Sequence, residues 1–282
     1  MQAIIISAYK NPEYLQRLID FFSKKYHVFV HLDSKSKIQT SFFKQKKNVH
    51  IYKKYRICWG SYNHLLAILF LLREAMKYSD INYFHIISGS DLPVKKIEDY
   101  DKFENNQQIY MEHLKLPQDL NFLRRYQYGT RFPNMDQRAR LVKIVNQVYQ
   151  VFKRPNKLLG GTFTDSQIYK GLIWLSLPRN AVEYVFKYNE KNDFLRNIYH
   201  VSLPEEIFFQ TILENSYFKK YIAKNNLVYN DWTKKRNGSL PAILDSSDYM
   251  KIISSDSYFA RKIDPVISKD LIDSISKNIN NF

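Results

Sequence analysis

A mixed α/β fold, with a mainly parallel twisted sheet flanked by helices, is what this sequence of 282 residues predicts. Three observations lead there. Short apolar runs alternate with amphipathic helical stretches through the N-terminal third, and polar residues close each run at its downstream end. The 45% hydrophobic content of so long a chain is also enough to cover both faces of a sheet.

Residues 3–7 are a short, mainly apolar run closed by Ser7, fit for a strand buried on both faces. Asn11-Pro12-Glu13 then opens a helix, proline fitting its first turn, with Tyr14, Leu15, Leu18, Phe21 and Phe22 at helical spacing. Residues 28–32 form a second strand ending at Asp33, and residues 49–52 a third. Ser61-Tyr62-Asn63-His64 leads into a helix over 65–78. A fourth strand at 83–87 ends in Ser88-Gly89-Ser90-Asp91. Strand–helix–strand units of this length join parallel strands, and ligands of such sheets sit beyond the carboxyl ends of the strands, where Tyr9, Asp33 and residues 88–91 fall. Further on come a strand within 107–112, a helix over 135–153, a glycine-containing turn at 157–162 and a strand at 173–177. Helices follow at 181–188 and 206–215, a loop at 232–241, and closing helices at 247–253 and 268–279. No repeat or low-complexity linker divides the chain, so one domain over 1–282 is expected.

The net charge of +16 suits nucleic acid, an anionic membrane or a small anionic substrate. The cations are scattered, and without a zinc-finger spacing, an RNA-recognition signature or an extended basic helix, nucleic acid is not an expected partner. The excess of 22 Tyr and 19 Phe fits polar-tipped rings around clefts, or equally an AT-rich codon usage. A lone cysteine, Cys58, cannot form an internal disulfide and points to a reducing compartment. The first residues carry no secretory pattern, and no apolar run reaches the roughly 18–20 residues that span a bilayer. The expectation is a cytoplasmic protein, with peripheral contact at the inner membrane face left open.

The richest segment is Leu203-Pro204-Glu205-Glu206-Ile207-Phe208-Phe209-Gln210. Proline followed by two carboxylates is ordinary helix-start chemistry, and it is equally a way to present a general base at a pocket rim. Asp33 reads as a turn former or as an acceptor for a base or ribose. Asp99-Tyr100-Asp101 sits in an amphipathic stretch, 97–103, and is rejected as a metal–nucleotide site. The seven histidines show no paired ligand spacing, so no metal is expected. No phosphate loop, dinucleotide fingerprint or nucleophile elbow occurs. Arg261-Lys262 reads either as a surface helix end or as a clamp whose two cations stabilise a diphosphate.

In order and across nearly the whole chain, these pieces resemble the core-2/I-branching β-1,6-N-acetylglucosaminyltransferases and the related peptide O-xylosyltransferases. The matching segments are residues 3–9, 31–35, 58–61 (Cys-Trp-Gly-Ser), 88–93, 174–176, 203–215, 225–227, Asp231-Trp232 and 259–264. The resemblance implies a GT-A-type nucleotide-sugar-binding fold. It implies inverting, metal-independent transfer of a sugar, GlcNAc being expected, from a UDP-sugar to a hydroxyl of an oligosaccharide or lipid-linked glycan in surface polysaccharide synthesis. By that resemblance Glu206 is the general base, Arg261 and Lys262 hold the diphosphate with a further cation from 234–236 (taken as Arg236), and Asp33 meets the nucleoside. Ala8, Tyr9, Ser88, Gly89 and Asp91 line the donor site, while Glu112 and Trp174 fall on the acceptor side. Residues 1–105 become the nucleotide-binding half and 106–282 the acceptor and catalytic half. No cofactor is expected. The family's eukaryotic members are Golgi proteins with disulfides and a membrane anchor, so a bacterial, cytosolic version is expected here. One departure stands out: Ile173 occupies the place of the aspartate that xylosyltransferases carry before the tryptophan, so sugar identity does not carry over. A non-catalytic nucleotide- or nucleic-acid-binding protein and a lectin-like module are the rival classes.

Overall fold

The computed structural model describes residues 1–115, 128–152, 167–280 and 282. Four parallel strands, β1 (Gln2–Ala8), β2 (His27–Leu32), β3 (Val49–Tyr52) and β4 (Tyr83–Ser88), make the body of the central sheet. Two-residue strands follow in the chain: β5 (Leu92–Pro93), β6 (Leu114–Lys115) and β7 (Tyr169–Lys170). The fifth strand of the sheet, β8 (Ser176–Pro178), pairs antiparallel with β4, giving the order β3-β2-β1-β4-β8. The expected strand at 173–177 is thus displaced toward its C-terminal end. Ile86 N–H still donates to Leu175 O at 2.9 Å, while Ile173 and Trp174 leave the sheet for the cavity described below. The expected strand within 107–112 reduces to single bridges, Ile109 to Ile222 and Tyr110 to Ser176.

Because side chains alternate along a strand, β1 feeds two cores. Ala3 and Ile5 belong to one, which is closed by α2 (Tyr62–Met76), α4 (Arg179–Asn192), the short α5 (Phe194–Asn197) and α6 (Phe208–Glu214). Ile4 and Ile6 belong to the other, closed by α1 (Pro12–Phe22), α7 (Tyr249–Ile253) and α8 (Lys269–Asn278). This is the sheet flanked by helices that the alternating pattern predicts. Helix α2 begins at Tyr62, earlier than the apolar run suggests, because Ser61 sits extended at its N-cap position and its hydroxyl accepts from Cys58 N–H at 3.1 Å.

Two helices are shorter than their periodicity suggests. The stretch from 135 becomes α3 only at Arg140 (Arg140–Phe152). Ahead of it Gln137 Nε2 donates to Phe132 O and Met135 O, at 2.7 and 2.9 Å, and holds the chain in turns. The stretch 206–215 splits into a 3₁₀ turn, Pro204–Glu206, and α6, because Ile207 adopts φ −121° between them. The turn expected at 157–162 lies outside the described residues. A second small sheet, β5-β10-β9, joins β9 (Val228–Tyr229) and β10 (Phe259–Ala260) to the end of β4's loop. Arg261 and Lys262 therefore leave a strand, not a helix end.

Candidate active site

The carboxyl ends of β1, β2 and β4 open into a cavity of about 560 Å³. Ala8, Tyr9, Asp33, Ser88 and Gly89 line it, as strand-end residues of a parallel sheet should. Gly89 is required by crowding: a Cβ there would lie 2.9 Å from that of Ala8. Buried Asp33 organises its neighbours, Oδ1 accepting from the N–H groups of Lys35 and Ile57, both at 3.1 Å. Its Oδ2 lies 3.5 Å from Lys35 Nζ. Asp33 thereby ties the segment carrying Ile57, Cys58 and Trp59 to the cavity wall.

Opposite these strand ends, β10 delivers Arg261 and Lys262 into the same cavity. The Arg261 guanidinium lies over the Trp174 ring at 4.3 Å, and its Nη1 is 3.2 Å from Oδ1 of Asp91, a carboxylate only 1% exposed. The two atoms are close but poorly aligned, so each remains a buried polar atom lacking a hydrogen bond. Burial pushes the Arg261 pKa down against the pull of Asp91, and burial raises Asp91 against the pull of Arg261. Asp91 Oδ2 also accepts from Ser88 N–H at 2.6 Å, a hydrogen bond that favours the carboxylate form and so the ion pair. Burial and then the neighbouring charges of Arg261, Lys10 and Arg138 push the Lys262 pKa below its usual value. Like charge gathered around Lys262 forms a site that an anion relaxes.

The carboxylates come from the turn Pro204–Glu206. Its first corner is Leu203, held at φ 57°, a conformation that costs a bulky residue energy and marks a fixed, over-determined turn. Glu206 is partly exposed and lines the cavity; its backbone carbonyl accepts from Gly171 N–H at 2.8 Å. Gly171 must be glycine, since a Cβ would fall 1.8 Å from Glu112 O. Glu205 is buried, with Oε1 3.2 Å from His64 Nδ1 and Oε2 lacking a hydrogen-bond partner.

Nine of the predicted site residues line this cavity: Ala8, Tyr9, Asp33, Ser88, Gly89, Trp174, Glu206, Arg261 and Lys262. Three do not. Asp91 stands behind Arg261 as its counter-ion. Glu112 Oε2 accepts from Leu172 N–H at 3.2 Å, next to the wall. Arg236 does not line the cavity and is paired with Asp245 at 3.4 Å and with Asp248. Sequence reasoning misses Lys10, His64, Glu205 and Arg138, which also line the cavity. Glu205 is visible there only as one of two adjacent carboxylates. Nothing local in the sequence announces the other three, which the fold brings in from separate elements.

The Core-2/I-Branching enzyme family matches residues 3–252 of this chain. The chain belongs to that family. Among similar proteins, Xylosyltransferase sqv-6 of Caenorhabditis elegans is 24% identical over 296 residues, covering 94% of this chain and 34% of its own length. Xylosyltransferase 1 of Homo sapiens is 24% identical over 286 residues, covering 92% of this chain and 28% of its own length. Xylosyltransferase 1 of Mus musculus is also 24% identical, over 276 residues that cover 89% of this chain and 27% of its own length. The chain thus spans about a third or less of the relatives it matches. A family of sugar-transferring enzymes agrees with a cavity that pairs a carboxylate with clustered cations. Among the described residues no helix is long and apolar enough to cross a membrane.

Proposed function

We propose that this core-2/I-branching family member is an inverting glycosyltransferase that uses a UDP-sugar and draws the charge compensation for UDP departure from its own side chains. The observation that carries the reading is one cavity lined by Glu206 on the carboxylate side and by Arg261, Lys262, Lys10 and Arg138 on the cation side. A sugar hydroxyl becomes a competent nucleophile when a carboxylate takes its proton during attack. Glu206 has that role: it removes the acceptor's proton as the oxygen attacks the anomeric carbon. Attack in line with the bond to UDP inverts that carbon. The electron pair of the broken bond passes to the diphosphate, whose growing charge Arg261 and Lys262 stabilise through charge-assisted hydrogen bonds. Asp91 and Trp174 hold the Arg261 guanidinium from behind. The acceptor is a glycan hydroxyl, in keeping with surface polysaccharide synthesis.

GlcNAc is the expected sugar. Xylose is the second reading, favoured by the xylosyltransferase relatives. A panel of UDP-sugars assayed for transfer or slow hydrolysis in excess chelator decides donor and metal dependence together. Turnover is expected to persist without divalent cations, and Glu206→Gln is expected to lower it by roughly 10²–10⁴ while leaving UDP binding intact. Strict dependence on an added divalent ion, or a Glu206→Gln variant as active as the parent, overturns the reading.

A further inference from the structure

Helix α3 is docked the opposite way round from an ordinary surface helix. Of its 13 residues only Val142 is buried. Amides tie it to the body of the protein: Asn146 Oδ1 accepts from Thr130 Oγ1 at 3.1 Å and Arg131 N–H at 2.9 Å, and Gln150 Nε2 donates to Gly129 O at 3.3 Å. The apolar side faces solvent. Leu141, Ile144, Val148, Val151 and Phe152 are 69%, 46%, 55%, 79% and 84% exposed. At 3.6 residues per turn these five lie within about a third of the helix circumference. Scattered apolar residues are normal on a surface, whereas a continuous stripe marks an interaction face.

Charge indicates what covers the stripe. Arg140 and Lys143 are exposed on the same helix. From residue 137 to residue 152 the sequence has no Asp or Glu, and of its three cations Arg138 is paired with Asp136 at 3.1 Å, which leaves Arg140 and Lys143 beside the stripe. An apolar stripe edged by cations and free of carboxylates is the composition of a helix lying in the interface of an anionic bilayer. Arg138, two residues before the helix, lines the cavity and stacks on Trp59 at 5.0 Å, so the N-terminal end of α3 adjoins the cavity.

We propose that α3 docks this chain on an anionic membrane surface, its apolar stripe seated at the boundary of headgroups and acyl chains. The docking goes beyond the sugar-transfer reading and does not depend on it. If both hold, the acceptor hydroxyl belongs to a lipid-anchored glycan presented at that surface. The test is flotation of the whole chain with phosphatidylcholine vesicles, with and without about one third phosphatidylglycerol. Binding is expected to the anionic vesicles, at least about tenfold stronger than to phosphatidylcholine alone, and to weaken as salt is raised. Leu141→Glu/Val148→Glu/Phe152→Glu should lose about tenfold or more of it, with the circular dichroism spectrum and UDP binding unchanged. Arg140→Gln/Lys143→Gln should bind less and with a flatter salt dependence. A triple variant that still floats like the parent overturns the proposal and assigns the binding to the general basic surface. So does a parent that ignores vesicles but forms a dimer that the triple variant breaks. UDP binding read on the same samples keeps failure of docking separate from failure of the sugar-transfer reading.

Discussion

Arg261 and Lys262 are neighbours in sequence, yet their surroundings assign them different duties. Arg261 has a buried counter-ion and an aromatic platform; Lys262 has a long contact to Ser239 Oγ at 3.4 Å and cations around it. Breaking a buried ion pair from one side strands the other charge, so Arg261→Met should cost roughly 3–5 kcal/mol of stability. Lys262→Met strands nothing and relieves cation repulsion, so its thermal midpoint should equal or exceed that of the parent. Its UDP affinity should nonetheless fall roughly 10- to 100-fold, the worth of a charge-assisted hydrogen bond. Thermal melts and UDP titrations on the two variants check this contrast. Because the Lys262 pKa is depressed, the parent should also lose UDP affinity as alkaline pH discharges that ammonium, and UDP binding there should take up protons.

At the scale of elements, the site depends on how strand ends hold loops. His31, at the end of β2, accepts from Tyr55 N–H at 2.9 Å through Nε2 and so fixes the segment leading to Trp59. An acceptor nitrogen cannot carry a proton, and burial brings its pKa down to about 4. His85, buried between Ser176 and Gln2, is lowered to about 3. Between these values and the ordinary histidine pKa near 6.5 the unfolded chain binds protons that the native chain refuses, so stability rises with pH across that window and falls on acidification. Urea midpoints measured from pH 7 to 4 should decline, and His31→Gln, which keeps an acceptor without titrating, should decline less steeply. The parallel strands were legible in sequence because buried apolar runs and helix starts are local signals, as in residues 3–7 and Asn11-Pro12. The two-residue strands β5, β9 and β10 were not, since each exists only through pairing with distant partners. The same division runs through the site. Pro204-Glu205-Glu206 and Arg261-Lys262 announce themselves, whereas Lys10 and Arg138 matter only through what the fold sets beside them. Arg236 shows the converse: the sequence offers a cation, and Asp245 and Asp248 engage it elsewhere.

For the whole molecule, part of the positive charge behind the net +16 lies at the cavity, on Lys10, Arg138, Arg261 and Lys262, and part on α3, on Arg140 and Lys143. The sheet carries a core on each face, and its strand ends meet β10 and the turn Pro204–Glu206 across one opening. Everything proposed for the chemistry rests on that opening holding a nucleoside diphosphate with its phosphates on the cations and its reactive end toward the carboxylate. A crystal structure of the chain with UDP tests this directly. Diphosphate oxygens are expected within hydrogen-bond distance of Arg261 and Lys262, the uracil toward Asp33, and open space between the terminal phosphate and Glu206. UDP seated outside this cavity, or inside it with its phosphates remote from both cations, would rule this chemistry out.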